Sequence, residues 1–104
     1  MESILNIFKV PDLRKRLPAD LGILLQDIAL LIEQKGGHSL LVGGSVRDLF
    51  FGQTPRELDM EIRGFTMDKL AQVLLPKYPT EQVGKSFGVL KLKGLPVEIA
   101  LPRT

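Results

Sequence analysis

The amino-acid sequence predicts an α+β domain, a mixed sheet of about five strands with helices packed mainly on one side. Three observations predict it. Apolar residues recur at three- and four-residue steps over 19–35, residues 58–62 alternate at strand period, and the last third is a series of short strand-like runs parted by turn residues. At 104 residues the chain has the size of one domain with one two-layer core. With 44% hydrophobic residues and both charge signs interspersed, it carries enough apolar surface to offset the entropy of ordering.

Each element has its own reason. Residues 9–17 mix charge with Pro11, and Pro18 follows, so this stretch reads as a lead-in. Leu21, Leu24, Leu25, Ile28, Leu31 and Ile32 then line one face of an amphipathic helix that Gly36-Gly37 closes. The short apolar run 39–42 suits a buried strand, and a short helix over 46–51 follows the Gly43-Gly44 pair. Pro55 marks residues 53–57 as a loop. In the next strand, Leu58-Asp59-Met60-Glu61-Ile62, apolar and acidic residues alternate. Thr66 is a helix N-cap and Asp68 complements the first turn of a helix that Pro76 stops near Leu75. Strands are expected at 81–83, 89–93 and 96–101, with Gly94-Leu95 supplying a hairpin turn. The six aromatic residues, Phe8, Phe50, Phe51, Phe65, Phe87 and Tyr78, are scattered and are expected to pack in the core.

Composition excludes more than it identifies. There is no cysteine, which removes disulfide scaffolds, thiolate metal sites and a thiol nucleophile, and fits a cytoplasmic protein. No apolar segment approaches the roughly 20 residues of a membrane span. The net charge of +2 permits an anionic partner without identifying one.

The chemistry-bearing pattern begins with Asp59 and Glu61. Strand positions two apart leave the same face, so both carboxylates emerge together while Leu58, Met60 and Ile62 turn the other way. Two adjacent anions repel unless water screens them or a cation bridges them, and hard, oxygen-preferring Mg²⁺ is a suitable bridge. A bare acid-x-acid alternation is also what a solvated strand face looks like. The upstream segment Leu40-Leu41-Val42-Gly43-Gly44-Ser45-Val46-Arg47-Asp48 changes the balance. A strand running into two glycines and a helix start offers free N–H groups to an anion, and Arg47 can add a charge-assisted contact. A phosphate cradle beside a two-acid platform forms the two halves of a nucleoside triphosphate site.

These motifs resemble the head-domain signature of class II CCA-adding enzymes and bacterial poly(A) polymerases. The resemblance runs through Leu41-Val42-Gly43-Gly44-Ser45-Val46-Arg47-Asp48-Leu49-Phe50-Phe51-Gly52 and Glu57-Leu58-Asp59-Met60-Glu61-Ile62, and continues in residues 83–92 and 97–103. It implies a nucleotidyltransferase (polymerase beta-like) fold. It further implies that Gly43, Gly44 and Ser45 hold the triphosphate, that Arg47 contacts it or the helix start, and that Asp59 and Glu61 bind two Mg²⁺. Glu61 stands where many members have Asp; its longer side chain still ligates metal. Asp48 is expected at the helix start as a bracing residue, and Glu98 on the last strand as a third acid.

The implied reaction is template-independent transfer from CTP or ATP to the 3′ end of tRNA or another RNA. A helical neck, body and tail follow the head in that family, so the chain is expected to be a fragment with weak turnover of its own. A non-catalytic nucleotide-binding or interaction module that keeps the fold is the alternative. Gly84-Lys85-Ser86 lacks the glycine five residues upstream, where Pro79 stands, and is not a P-loop. His38, the sole histidine, has no nearby metal-ligand partners in the sequence and reads as a turn residue.

Overall fold

The computed structural model describes residues 17–82 and 88–102. Helix α1 (Ala19–Gln34) buries Leu21, Leu25, Ile28, Ala29 and Ile32, the stripe expected from the three- and four-residue spacing. Full burial of each large apolar side chain contributes about 1.5–3 kcal/mol relative to exposure. The helix ends at Gly36, whose φ of 91° lets the backbone reverse, and Gly37 N–H donates back to Ile32 O at 3.0 Å. Gly37 itself has no room for a side chain: a Cβ there would lie 2.8 Å from Ile32 and 2.9 Å from the Phe65 ring.

Strand β1 (His38–Leu41) leads directly into α2 (Gly43–Phe50). The glycine pair therefore forms the first turn of the helix, and the helix starts three residues before the expected position. His38 is exposed as expected, though it opens a strand and is not in a turn. Strand β2 (Leu58–Arg63) follows the loop, then α3 (Met67–Leu74), capped by Thr66 Oγ1 accepting from Lys69 N–H at 3.2 Å. Strands β3 (Thr80–Gln82), β4 (Val89–Leu92) and β5 (Val97–Ala100) complete the fold. The β4–β5 turn contains Gly94 at φ 73°, where the sequence placed it. The expected end of the third strand at Val83 and the Gly84-Lys85-Ser86 segment lie outside the described residues, as do Phe8, Phe87 and Arg103.

The five-stranded sheet has the order β1-β2-β5-β4-β3. β1 pairs antiparallel with β2, β2 parallel with β5, and β5–β4 and β4–β3 antiparallel, so the sheet is mixed. In this register Leu41, Leu58, Met60, Ile62, Leu90, Leu92, Val97 and Ile99 share one face. They join residues of α1, α2 and α3 in one core, which places these described helices on one side. The other face carries Asp59, Glu61, Arg63, Glu98 and Lys91.

The expected core packing of the aromatic residues fails at two positions. Phe65 and Tyr78 pack against the core, but Phe50 and Phe51 are 83% and 70% exposed and stack edge-to-face on each other, centroids 5.8 Å apart. The eight-residue α2 buries Ser45 and Leu49, one helical turn apart, so its last residues have rotated off the core-facing side.

Across the core, Asp27 on α1 accepts hydrogen bonds from Tyr78 Oη and from Lys77 Nζ, the latter at 2.8 Å. The Lys77 and Tyr78 donors lower the Asp27 pKa, while burial, reinforced by Asp27 as acceptor, pushes the Tyr78 phenol up to about 12.

Candidate active site

The site is built where β1 turns into α2. Gly43 has φ 62°, a left-handed conformation open to glycine at no steric cost. The turn is tied to β2 at Asp59 from both sides: Val42 N–H donates to Asp59 O at 2.8 Å, and Asp59 N–H donates to Ser45 Oγ at 3.2 Å. Ser45 Oγ donates in turn to Val42 O at 2.9 Å. The consequence is close approach. A Cβ built on Gly43 or Gly44 would lie 3.3 or 3.5 Å from Asp59 Oδ2, so the missing side chains leave the carboxylate open to the turn.

Asp59, Glu61 and Glu98 share the face of the sheet opposite α1, α2 and α3. Asp59 and Glu98 are direct partners on the neighbouring strands β2 and β5, and Glu61 stands one step along β2. Glu61 is not free: its Oε2 accepts from Arg63 Nε at 3.0 Å. Ser45 is 2% exposed with its hydroxyl engaged by backbone at both ends, so its side chain shapes the turn and only its N–H group remains for an anion. Arg47 is exposed on α2 and does not line the cleft described next.

A cleft of about 960 Å³ opens beside the turn, between the start of α1, α2 and the 53–57 loop. Gly44, Ser45, Asp48, Arg56, Glu57 and Asp59 are among the residues that line it. Glu61 and Glu98 lie outside it. Glu57 is the residue the sequence reading passed over. It lies two positions before Asp59, in the bend that precedes β2, and reaches the cleft through the loop. Asp48, expected as a bracing residue, lines the cleft as well.

The donor set suits a hard cation. It consists of carboxylate oxygens, with no thiolate and no histidine among them, which is magnesium's preference. No group of three Asp, Glu or His side chains converges among the described residues. Magnesium commonly takes one or two carboxylates and completes its shell with water and substrate phosphates. Among the described residues no helix is long and apolar enough to cross a membrane.

The chain matches no protein-family model and no curated protein. Solved structures do match. The Thermotoga maritima CCA-adding enzyme complexed with tRNA superposes over 98% of this chain with a TM-score of 0.74 and 21% identity. A CCA-adding enzyme in complex with CTP superposes over 96% with a TM-score of 0.72 and 21% identity. The Bacillus stearothermophilus CCA-adding enzyme in complex with CTP matches over 71% with a TM-score of 0.59 and 26% identity. This chain covers 24%, 24% and 18% of those three chains, so it spans a quarter or less of their length. In fold, this chain is similar to the CCA-adding enzymes and fits a head domain of one.

Proposed function

We propose that the chain is the catalytic head of a template-independent RNA nucleotidyltransferase, moving a nucleotide from CTP or ATP to the 3′ end of tRNA or another RNA. One observation carries this reading: the Asp59 carboxylate and the glycine turn share one location, with Oδ2 3.3 Å from where a Gly43 side chain would begin. A phosphate-binding turn and a cation-binding acid then act on the same triphosphate.

In this reading the N–H groups at the start of α2 hold the triphosphate. Asp59 is the central cation ligand, and its second carboxylate comes from Glu61 on the same strand or from Glu57 in the loop before it. Glu61 must leave Arg63 to serve. Mg²⁺, once bound, offsets charge on the attacking and leaving oxygens. The RNA 3′-hydroxyl loses its proton as its oxygen bonds to the α-phosphorus, and the bond to the bridging oxygen breaks, releasing pyrophosphate with the electron pair. In this reading Glu98, the cross-strand partner of Asp59, receives that proton.

Calorimetric titration with magnesium and ATP or CTP tests the reading. We expect heat with the native chain that is lost in Asp59→Ala, and labelled nucleotide appearing on tRNA that lacks its 3′ end. No heat with the native chain overturns the reading. Binding that survives Asp59→Ala points to the non-catalytic nucleotide-binding module.

A further inference from the structure

In-line displacement places the attacking oxygen opposite the departing pyrophosphate. The turn that would hold the pyrophosphate lies at the β1–β2 side of Asp59, through Val42 N–H to Asp59 O and Asp59 N–H to Ser45 Oγ. The opposite side is the open face over β5 and β4. Across the sheet from Asp59 the register runs Asp59, Glu98, Lys91 and Glu81 on β2, β5, β4 and β3. With strands about 4.8 Å apart, Lys91 stands roughly 10 Å from the Asp59 backbone.

Lys91 is exposed, and no carboxylate approaches it within ion-pair distance among the described residues, although Glu98 and Glu81 are its cross-strand neighbours. Lys93, also exposed, follows two residues on at the end of the strand. Along this row the acids Asp59 and Glu98 stand next to the turn, Lys91 follows on β4, and Glu81 stands at the β3 edge.

Resting on the nucleotidyl-transfer reading, the geometry points to the β5–β4 part of this face as the seat of the acceptor RNA, with Lys91 and Lys93 contacting its backbone phosphates next to the 3′-terminal ribose. The 3′-hydroxyl then lies over Glu98, between the lysines and the α-phosphorus. A strand of RNA that crosses β4 meets Lys91 before it reaches Glu98 and the cation site. Both lysines are positioning residues for the acceptor.

The test uses the whole chain and a 5′-fluorescein-labelled, single-stranded RNA oligonucleotide with a free 3′-hydroxyl. Anisotropy is measured over a salt series, without triphosphate. We expect Lys91→Gln with Lys93→Gln to weaken RNA binding about tenfold and to flatten the slope of log K against log salt by about 0.7 per lysine. Lys91→Arg with Lys93→Arg should restore both. Magnesium-dependent ATP affinity, measured on the same proteins, should move less than twofold.

Unchanged RNA affinity and slope in the Gln variant, or a native chain that binds no RNA, overturns the proposal. ATP affinity lost in step with RNA affinity also overturns it, because the lysines would then serve the triphosphate. A native chain that binds RNA through these lysines but no triphosphate sinks the nucleotidyl-transfer reading and with it the catalytic placement of the acceptor.

Discussion

The two faces of the sheet obey different rules, although the same strands build both. On the helical face, Leu58, Met60, Ile62, Val97 and Ile99 are at most 1% exposed and meet residues from α1, α2 and α3. On the opposite face, Asp59 and Glu61 are half-buried, Glu98 and Lys91 are exposed, and among the described residues Glu61 pairs with Arg63. Stability is concentrated on the first face and chemistry on the second. Alternation along β2 makes the division sharp, since neighbours in sequence belong to opposite regimes.

The largest effect that could break this contrast comes from Met60→Ala. Met60 is 1% exposed, and its truncation should lower unfolding free energy by about 2–5 kcal/mol, read by denaturant titration. The adjacent Asp59→Ala should leave that quantity within about 0.5 kcal/mol. The same substitution should cut nucleotidyl transfer on the order of 100-fold or more, a loss of about 2.7 kcal/mol in transition-state stabilisation. If Asp59→Ala unfolds the protein, the separation of the faces is wrong.

Next comes Gly43→Ala, which acts on both regimes at once. A φ of 62° costs a residue with a Cβ about 1–2 kcal/mol, and the added carbon would sit 3.3 Å from Asp59 Oδ2. Both the melting temperature and the magnesium-dependent triphosphate affinity should fall. Gly94→Ala, at φ 73° with nothing within 4 Å of the new carbon, should lower only the melting temperature.

A comparison of Glu57→Gln with Glu61→Gln sharpens the picture of the open face itself. Glu57 lines the cleft with Asp59, while Glu61 lies outside it and holds Arg63. Magnesium affinity measured on the two variants identifies which carboxylate partners Asp59: the partner's loss should weaken binding about tenfold and the other's by less than threefold.

The smallest effects belong to the Asp27–Tyr78–Lys77 cluster on the helical side. Asp27 has its pKa lowered, so its contribution is present above its ordinary value of 3.8 and lost as pH falls through the lower folded value. Tyr78 is raised to about 12 from 10.0, so the folded state keeps a proton that the unfolded chain releases, and stability declines between about pH 10 and 12. Lys77 and Asp27 are 58% and 32% exposed, which keeps their pairing to a small effect. Tyr78→Phe should remove the alkaline decline, and Asp27→Asn the acid one, in melting curves recorded across pH.

Much of this was legible in the sequence because periodicity reports faces. The spacing of Leu21, Leu25, Ile28 and Ile32 marked the buried stripe of α1, the alternation 58–62 separated the two faces of β2, and Thr66 and Gly94 marked a cap and a turn through local chemistry. What periodicity cannot report is which end of a face meets another element. Asp59 is equidistant in sequence from Glu57 and Glu61, and only the 53–57 loop folding over α2 brings Glu57 to the cleft. Ser45 read as a phosphate ligand, yet its hydroxyl is consumed by Val42 and Asp59, an arrangement that depends on where β2 lies. The exposure of Phe50 and Phe51 likewise follows from the short length of α2, which composition does not encode.

The parallel pairing of β2 with β5 carries a thermodynamic consequence. Asp59 and Glu98 become neighbours only when segments far apart in the chain close on each other, a non-local step that local helix formation does not supply. Any ligand that spans those two strands therefore binds the folded ensemble alone, and a free concentration 100 times its dissociation constant adds about 2.7 kcal/mol to the unfolding free energy. Melting in the presence of magnesium and a triphosphate thus doubles as an affinity measurement, one that needs no turnover.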